Sequence, residues 1–285
     1  MTRDGVAEEA ARDGVVEEAA PGGRLWVRSE WHASVRGLAL LAPGGFERWL
    51  AGAPSAGAGR SATGLIALAA GGPAVVVRRL RHGGLLGPSL GERYLTATRA
   101  LHELELTARL RAAGAPVPEP VFALALRHGP FWTHALATLY EEGAVDALQF
   151  LASAPGEARV LRAAAAIGAA VRRFHDAGGR HPDLHVKNLL LRETRAGAEA
   201  IVIDLDRGAV GARPGLRARA RELGRLWRSL RKRGVAESVG ERGVAAFLAA
   251  YCAGDRELRE ALGRRLPAER RRAAWHALLY PRKRS

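Results

Sequence analysis

Short apolar runs occur throughout the first half of the chain, and turn-forming residues separate them. Short runs between clusters of Gly, Pro and Ser are typical of β-strands. The predicted strands are residues 24–27, 38–41, 65–70, 74–77, 121–126 and 131–140. Residues 95–112 instead carry apolar side chains at helical spacing, and this pattern stops at Gly114, before a proline-rich connector. The pattern predicts a small antiparallel sheet with one helix inserted between its strands.

Helical spacing dominates the second half of the chain. Residues 160–175 and 216–230 each place their apolar side chains on one stripe, as amphipathic helices do. Between them, the short apolar runs 189–191 and 201–203 predict a small hairpin. The polar segment 141–143 looks like a linker into this helical part.

These patterns predict an α+β fold with two domains. Residues 21–140 are expected to form a β-rich domain and residues 141–285 an α-rich domain, with a cleft of the kind that often holds nucleotides. Residues 3–11 are nearly repeated at residues 12–20, with many charges and few large apolar side chains. We therefore expect residues 1–20 to be an acidic, disordered tail.

Composition narrows the class of protein. The chain has 285 residues, of which 48% are hydrophobic, so it can bury a sizeable core. Its single cysteine, Cys252, excludes an internal disulfide and indicates a reducing compartment. We find no export signal and no stretch apolar enough to span a bilayer, and therefore expect a cytoplasmic protein. The formal net charge of +15 attracts polyanions, such as nucleic acid, nucleotide phosphates or an anionic membrane.

The most informative segment is residues 181–188, which read H-x-D-L-x-x-x-N. Farther along the chain, Asp204 opens a D-x-x-x-G segment. Phosphoryl transfer needs a carboxylate that orients or deprotonates the attacking hydroxyl, and oxygen ligands for the Mg²⁺ ions that bridge the nucleotide phosphates. Asp183 suits the first task, and Asn188 with Asp204 suits the second. The sequence thus predicts an ATP- and Mg²⁺-dependent site with Asp183 as its catalytic residue.

A cation for the nucleotide phosphates must come from arginine, because no lysine precedes Lys187. The strand 74–77 leads into Arg78 and Arg79, whose side chains point to opposite faces of a sheet. We favour Arg78 for the nucleotide, and Arg79 remains the alternative. Glu103 borders the buried face of the following helix and is the expected partner of this arginine.

A glycine-rich stretch at residues 57–64 precedes one of the predicted strands. Its backbone N–H groups suit a phosphate, and its central residues Gly59, Arg60 and Ser61 are therefore candidates for cofactor binding. A plain flexible loop has the same composition, so both interpretations stay open.

Five segments follow one another along the chain: V-R-R-L-R-H-G-G-L at 77–85, T-R at 98–99 with Glu103 downstream, G-A-P-V-P-E-P at 114–120, the loop 181–188, and I-D-L-D-R-G at 203–208. In this order they resemble the lipopolysaccharide core kinases, and most closely the 3-deoxy-D-manno-octulosonic acid (Kdo) kinases. The resemblance implies a protein-kinase-like fold of two lobes. It also implies ATP-dependent phosphorylation of a Kdo hydroxyl, by resemblance the 4-hydroxyl, on a lipid A precursor at the cytoplasmic face of the inner membrane.

The resemblance also assigns roles to individual residues. It gives Arg78 the place of the strand lysine and Glu103 that of the helix carboxylate. It makes Asp183 the base, and Asn188 with Asp204 the metal ligands. The expected partners are a lipid-linked anionic sugar and an anionic membrane surface, with no nucleic acid and no obligate protein partner.

Other functions remain open at this stage. His185 makes the loop read D-L-H, which also occurs in aminoglycoside and choline kinase-like enzymes, so a small-molecule phosphotransferase is the main alternative. A binding module on an inactive kinase fold is another. A regulated protein kinase is disfavoured, because Pro182 stands where such kinases carry the arginine that pairs with an activation-loop phosphate. The basic segment 213–233, whose one acidic residue is Glu222, favours an anionic acceptor over a cationic one.

Overall fold

A computed structural model describes residues 10–12, 14–52, 63–68, 72–81 and 91–266 of the chain. The chain divides into two compact units, of which the first is Met1–Ala108 with Pro118–Glu141 and the second is Arg109–Val117 with Glu142–Ser285. The sequence placed residues 109–117 in the first domain. They belong to the second unit because Val202 N–H donates to the carbonyl of Pro116 at 2.8 Å, and Arg173 donates to that of Gly114 at 3.2 Å.

An antiparallel sheet forms the centre of the first unit. Within the described ranges it has seven strands, in the order β1-β2-β3-β6-β7-β5-β4. The strands are β1 Ala10–Arg12, β2 Val15–Ala20, β3 Gly23–Arg28, β4 Thr63–Ala67, β5 Ala74–Arg79, β6 Pro120–His128 and β7 Phe131–Leu139. Five of the predicted strands overlap with β3 to β7, which confirms a β-rich first part of an α+β fold.

Side chains alternate across this sheet, and each face has its own apolar core. Val77 packs in one core with Val35, and Leu136 packs in the other with Leu104. The helices of this unit are α1 His32–Arg36, α2 Gly45–Ala51 and the first part of α3 Arg99–Ala112. Arg78 lies opposite Leu136 in the β5–β7 register, so it shares the face that α3 covers.

The predicted strand 38–41 is wrong. This segment forms turns, with Ala39 at φ +49°, and Leu40 is buried in the same core as Val35. The run lies between Gly37 and Pro43, and its backbone forms turns instead of pairing with a strand. It therefore contributes a side chain to the core but no backbone to the sheet.

The expected disordered tail is also corrected over residues 10–12, which form β1, and over residues 15–20, which form β2. This strand pairs with β3 from Val15 opposite Arg28 to Ala20 opposite Gly23. The turn at residues 21–22 brings the two strands together, and Val15 packs in a core with Trp26. Pairing in the sheet and burial of Val15 and Val16 stabilise this segment as a strand, although its charged composition had suggested disorder.

The second unit is mainly helical, which confirms the α-rich part of the predicted fold. Its helices are α4 Ala147–Ala152, α5 Glu157–Asp176, α6 Leu216–Lys232 and α7 Ala236–Cys252, and its strands are β8 Ala144–Asp146, β9 Gly179–Arg180, β10 Leu189–Thr194, β11 Gly197–Val202 and β12 Ala209–Val210. The predicted hairpin is present as β10 and β11, which pair from Leu189 opposite Val202 to Thr194 opposite Gly197. None of the helices in the described ranges is long and apolar enough to cross a membrane.

Candidate active site

A tight turn leads from α5 into the H-x-D-L-x-x-x-N loop. Gly178 has φ +82°, and a Cβ atom there would lie only 1.9 Å from the carbonyl oxygen of Gly211. Only glycine fits this backbone and this approach. The following short strand β9 pairs with β12, so the start of the loop is held against the segment that follows Asp204.

His181 lies buried within this loop, with 1% of its surface exposed, and its ring bonds to two backbone segments. Its Nδ1 accepts the backbone N–H of Asp183 at 3.3 Å, and its Nε2 donates to the carbonyl of Ile203 at 3.1 Å. These two partners together require a neutral ring with the proton on Nε2. Burial lowers the pKa of His181, which favours the same state. The ring thereby ties the backbone of Asp183 to the residue that precedes Asp204.

Asp183 presents its carboxylate to solvent, with 61% of the side chain exposed. Its backbone carbonyl accepts a hydrogen bond from the Asn188 side-chain amide at 3.1 Å. Nε2 of His185 lies 3.8 Å from the Asp183 carboxylate. Asn188 itself is buried, and because its amide nitrogen is committed to the loop, its amide oxygen is the atom left for a ligand.

Asp204 lies beside Asn188 at one end of the β10–β11 hairpin. Ile203 N–H donates to the carbonyl of Asn188 at 3.0 Å, which continues the strand pairing up to the residue before Asp204. Asp204 has φ +63°, an unusual backbone conformation for any residue other than glycine. The structure thus brings Asp183, Asn188 and Asp204 onto adjacent backbone segments.

An amide oxygen and a carboxylate are ligands that suit Mg²⁺, which usually completes its shell with water and substrate phosphates. Within the described ranges, no group of three or more His, Cys, Asp and Glu side chains can hold a metal ion. The side chains of Asn188 and Asp204 are of the type that suits a cation held jointly with nucleotide phosphates.

Glu222 on α6 holds the start of the loop through a hydrogen bond to its backbone. The sequence analysis did not predict it as a site residue. It is buried, and one of its carboxylate oxygens accepts the backbone N–H of His181 at 3.1 Å and the Nε2–H of His175 at 3.0 Å. The hydroxyl of Ser229, two turns further along α6, accepts the backbone N–H of Val186 at 3.0 Å. The helix therefore binds the loop at two points.

A chain of hydrogen bonds extends from Glu222 into the helical core. Nδ1 of His175 lies 2.7 Å from the hydroxyl of Tyr251, to which Arg219 donates at 3.3 Å. Burial raises the pKa of Tyr251 to about 12, so this hydroxyl keeps its proton. His175 is fully buried in this core and connects Glu222 to the tyrosine.

This series of hydrogen bonds ends at Asp176, which accepts hydrogen bonds from Arg219 at 2.8 Å and from Arg172 at 2.5 Å. Burial disfavours the charge on Asp176, but the two guanidinium groups outweigh it and lower its pKa. Arg219 is itself buried. These ion pairs fix the end of α5 immediately before the turn at Gly178.

The first unit contains the predicted pair of arginine and glutamate. Arg78 donates to the carboxylate of Glu103 at 2.5 Å, and the Glu103 side chain is only 3% exposed. Arg79, on the other face of β5, instead pairs with Glu47 at 2.5 Å and Glu92 at 3.6 Å. The geometry therefore favours Arg78 over Arg79 as the partner of Glu103. Gly59, Arg60 and Ser61 lie outside the described residues.

An apolar cavity of about 600 Å³ lies in the second unit. Val186 and Leu189, on either side of Asn188, line it together with apolar residues of α4, α5, α6 and α7. Leu226 and Trp227 of α6 also lie on its wall. The side of α6 that lines this cavity is thus distinct from the side that carries Glu222 and Ser229.

Sequence motifs alone do not reveal Glu222 as a functional residue. The available signal was its isolation as the single acidic residue in the basic segment 213–233. A single acidic side chain in a basic segment is a candidate for a buried hydrogen-bond acceptor when its helix also carries an apolar stripe. Its two partners are a backbone amide and a histidine, which no local pattern connects to it.

The geometry can now be compared with known proteins. Residues 75–251 match the lipopolysaccharide kinase (Kdo/WaaP) family, a range that contains Arg78, Glu103, Asp183, Asn188 and Asp204. The chain belongs to this family. The resemblance seen in the sequence is thereby confirmed at the level of the family.

Kdo/WaaP relatives share about a third of their aligned residues with the chain. The 3-deoxy-D-manno-octulosonic acid kinase of Xylella fastidiosa (strain M23) is 33% identical over 175 residues, which are 60% of this chain and 65% of that protein. The matched region thus spans just under two thirds of the Xylella protein. The kinase of the same name from Vibrio vulnificus (strain YJ016) is 31% identical over 224 residues, which are 76% of this chain and 88% of that protein.

A solved member of the Kdo/WaaP family has the same fold. The structure of WaaP in complex with acyl carrier protein superposes with a TM-score of 0.53 and 20% identity, and covers 86% of this chain and 99% of that one. This likeness supports the predicted kinase-like fold class.

Proposed function

We propose that the protein is an ATP- and Mg²⁺-dependent kinase that phosphorylates a Kdo hydroxyl, by resemblance the 4-hydroxyl, on a lipid A precursor. The observation that carries the proposal is the pair of contacts that joins the backbone segments of the three predicted residues. Asn188 donates to the backbone of Asp183, and the residue before Asp204 donates to the backbone of Asn188. Membership of the Kdo/WaaP family supports the sugar acceptor.

In this proposal the exposed carboxylate of Asp183 accepts the proton of the sugar hydroxyl. The hydroxyl oxygen forms a bond to the γ-phosphorus as the bond from that phosphorus to the β–γ bridging oxygen breaks, and ADP leaves. Asn188 and Asp204 would hold Mg²⁺, which would neutralise charge on the phosphate oxygens. Arg78, oriented by Glu103, contributes positive charge to the phosphates in place of a lysine. Gly59, Arg60 and Ser61 remain proposed contacts to the nucleotide.

The test of this function compares acceptors. The purified chain is incubated with labelled ATP, Mg²⁺ and a Kdo-bearing lipid A precursor, with an aminoglycoside and a generic protein as rival acceptors. We expect label in the lipid only. Asp183→Ala should lower kcat by about 10²- to 10⁴-fold, the usual effect of losing a positioned base. Glu257→Ala, at an exposed acidic position, is the control. Label in the aminoglycoside instead would support the small-molecule phosphotransferase.

We further propose that the enzyme acts as a peripheral protein on the cytoplasmic face of the inner membrane. The segment 213–233 supports this, because its basic side chains greatly outnumber the one acidic residue. Each basic side chain near an anionic surface contributes about 1 kcal/mol to binding. Binding to vesicles that contain anionic lipid should therefore weaken as salt increases. Cosedimentation that is insensitive to salt, or equal with neutral vesicles, would contradict it.

A further inference from the structure

The backbone of Asp183 is held from two directions. His181 accepts its N–H at 3.3 Å, and the side chain of Asn188 donates to its carbonyl at 3.1 Å. The carboxylate itself is 61% exposed. A base accelerates proton transfer only when it faces the reacting hydroxyl. The two backbone contacts fix the place of Asp183 in the loop but leave the direction of its carboxylate open.

His185 is the neighbour of this carboxylate. Its Nε2 lies 3.8 Å from Oδ2 of Asp183. Within the described ranges, no other Lys, Arg or His side chain lies at ion-pair distance from Asp183. The separation is longer than a hydrogen bond. Because the carboxylate is exposed, rotation of the Asp183 side chain can shorten it, and catalytic contacts commonly tighten in this way when the substrate binds.

The ring of His185 is held from its other side. The next residue, Val186, is buried and donates its N–H to Ser229 at 3.0 Å. The carbonyl of His185 accepts the N–H of Asn188 at 2.9 Å. The side chain of His185 is only 24% exposed, and its Nδ1 is buried. One nitrogen of the ring is thus enclosed by the protein, and the other lies near Asp183.

The surroundings of the two ring nitrogens indicate which one carries the proton. An ionised carboxylate accepts hydrogen bonds and donates none, so Nε2 of His185 faces Asp183 favourably only when it bears a proton. Nδ1 has no hydrogen-bond partner among the described residues, so a proton there would be a buried donor without an acceptor. Both observations favour the proton on Nε2. His185 is therefore arranged to donate to Asp183.

We propose that His185 is a positioning residue, whose Nε2–H holds Oδ2 of Asp183 so that Oδ1 faces the acceptor hydroxyl. This inference rests on the proposed function and adds a residue to it. A carboxylate that is held at one oxygen has fewer orientations, so the other oxygen meets the hydroxyl more often in a reactive geometry. In this role His185 contacts neither the acceptor nor the nucleotide.

This role changes what the D-L-H spelling of the loop indicates. The spelling is shared with aminoglycoside and choline kinase-like enzymes, which made a small-molecule acceptor the main alternative. A histidine that orients the base serves the transfer step, and that step is the same for every hydroxyl acceptor. His185 therefore does not favour a small-molecule acceptor over a lipid-linked sugar.

The experiment replaces the ring with amides of different reach. The amide nitrogen of glutamine extends about as far from the backbone as Nε2 of histidine, whereas that of asparagine extends only about as far as Nδ1. His185→Ala and His185→Asn should lower kcat about 10- to 100-fold and change KM for ATP less than about threefold. His185→Gln should recover most of the lost kcat, because it returns a donor to the position of Nε2. Equal kcat in the glutamine and asparagine variants would overturn the proposal.

A double-mutant cycle tests whether His185 acts through Asp183. In the Asp183→Ala background, His185→Ala should lower kcat by less than about threefold more. Two independent, multiplicative losses would overturn the proposal. A larger effect on KM for ATP than on kcat would assign His185 to the nucleotide and would also overturn it. His128→Ala, which removes an exposed ring at the end of β6, is the control and should leave kcat unchanged.

Nitrogen NMR separates this inference from the proposed function. The chemical shifts of the ring nitrogens report which one carries the proton, and they require no turnover. We expect the Nε2–H form for His185, identified by the signals that are missing in His185→Gln, and a change of these signals in Asp183→Ala. A proton on Nδ1, or no response to Asp183→Ala, would overturn the proposal.

Failure of wild type to phosphorylate any acceptor would contradict the proposed function. The NMR spectra would then still decide whether His185 donates to Asp183. Thermal unfolding checks that each variant is folded. If His185→Ala is not folded, the comparison of His185→Gln with His185→Asn takes its place, since these two variants differ by one methylene group.

Discussion

The carboxylate of Glu222 accepts a hydrogen bond from the backbone N–H of His181 at 3.1 Å, although 41 residues separate the two in the chain. The same carboxylate oxygen accepts the ring N–H of His175 at 3.0 Å. A buried acceptor with two donors fixes the backbone at the start of the loop. The position of Asp183 therefore depends on a residue that takes no direct part in the proposed chemistry.

Glu222→Ala should destabilise the protein and displace the loop. It leaves the N–H of His181 and the ring of His175 without an acceptor, at about 1–3 kcal/mol for each buried donor. We expect a lower midpoint in urea denaturation, with kcat reduced more than KM for ATP. Glu237→Ala, an exposed residue near the start of α7, is the control and should stay within about 0.5 kcal/mol of wild type. Equal stability of the two variants would contradict the anchoring role.

Arg78→Gln should weaken ATP binding about 10- to 100-fold, because it removes the charge-assisted contact that we propose between Arg78 and the phosphates. Arg78→Lys should retain more affinity than Arg78→Gln. The adjacent Arg79→Gln is the matched control, since Arg79 lies on the other face of β5 with Glu47 and Glu92. Calorimetric titration with ATP and Mg²⁺ measures each affinity. A larger loss in Arg79→Gln would exchange the roles of the two arginines.

Asp204→Asn should remove the dependence of ATP binding on Mg²⁺. The amide is a weaker ligand than the carboxylate, and the proposed site has one other protein ligand, Asn188. Titrations of ATP with Mg²⁺ and with EDTA should differ for wild type and coincide for the variant. An unchanged Mg²⁺ effect in Asp204→Asn would contradict its assignment as a ligand.

Asp176→Asn should lower the free energy of unfolding by about 1–3 kcal/mol near neutral pH, because Arg219 loses its charged partner. The pKa of Asp176 is lowered by folding, so this contribution is fully present above the usual carboxyl value of about 4. It is lost as pH falls through the lowered value. Denaturation of both proteins at neutral and strongly acidic pH should show the difference shrinking. Glu257→Gln, at an exposed acidic position, should show no such difference. A difference that grows on acidification would contradict the ion pairs.

His181 should make the protein less stable in mild acid. Its pKa is lowered in the folded state, so below the unfolded value of about 6.5 the unfolded chain binds a proton that the folded chain does not. His181→Asn keeps an oxygen near the position of Nδ1 to accept the N–H of Asp183 but does not titrate. The stability advantage of wild type over this variant should therefore narrow between pH 7 and pH 5.5 in chemical denaturation. A constant difference would show that His181 is not held neutral.

The sequence predicted the parts of the site that local spacing encodes. The loop 181–188 and the segment at Asp204 flank the β10–β11 hairpin, and hairpin pairing places them side by side. Arg78 and Glu103 were predictable because strand alternation and helix spacing each define one face. Glu222, Ser229 and Tyr251 were not predicted, since their contacts join elements far apart in the sequence. The strand β2 was missed for a related reason: its pairing partner and its core contacts lie outside the charged repeat.

One edge of α6 holds the loop of Asp183 and another edge faces solvent. Glu222 and Ser229 bond to that loop, whereas Arg221 and Lys232 are exposed. Exchange of the exposed residues can therefore alter the charge of this surface without disturbing the attachment of the loop. The backbone contacts that position Asp183 would stay the same.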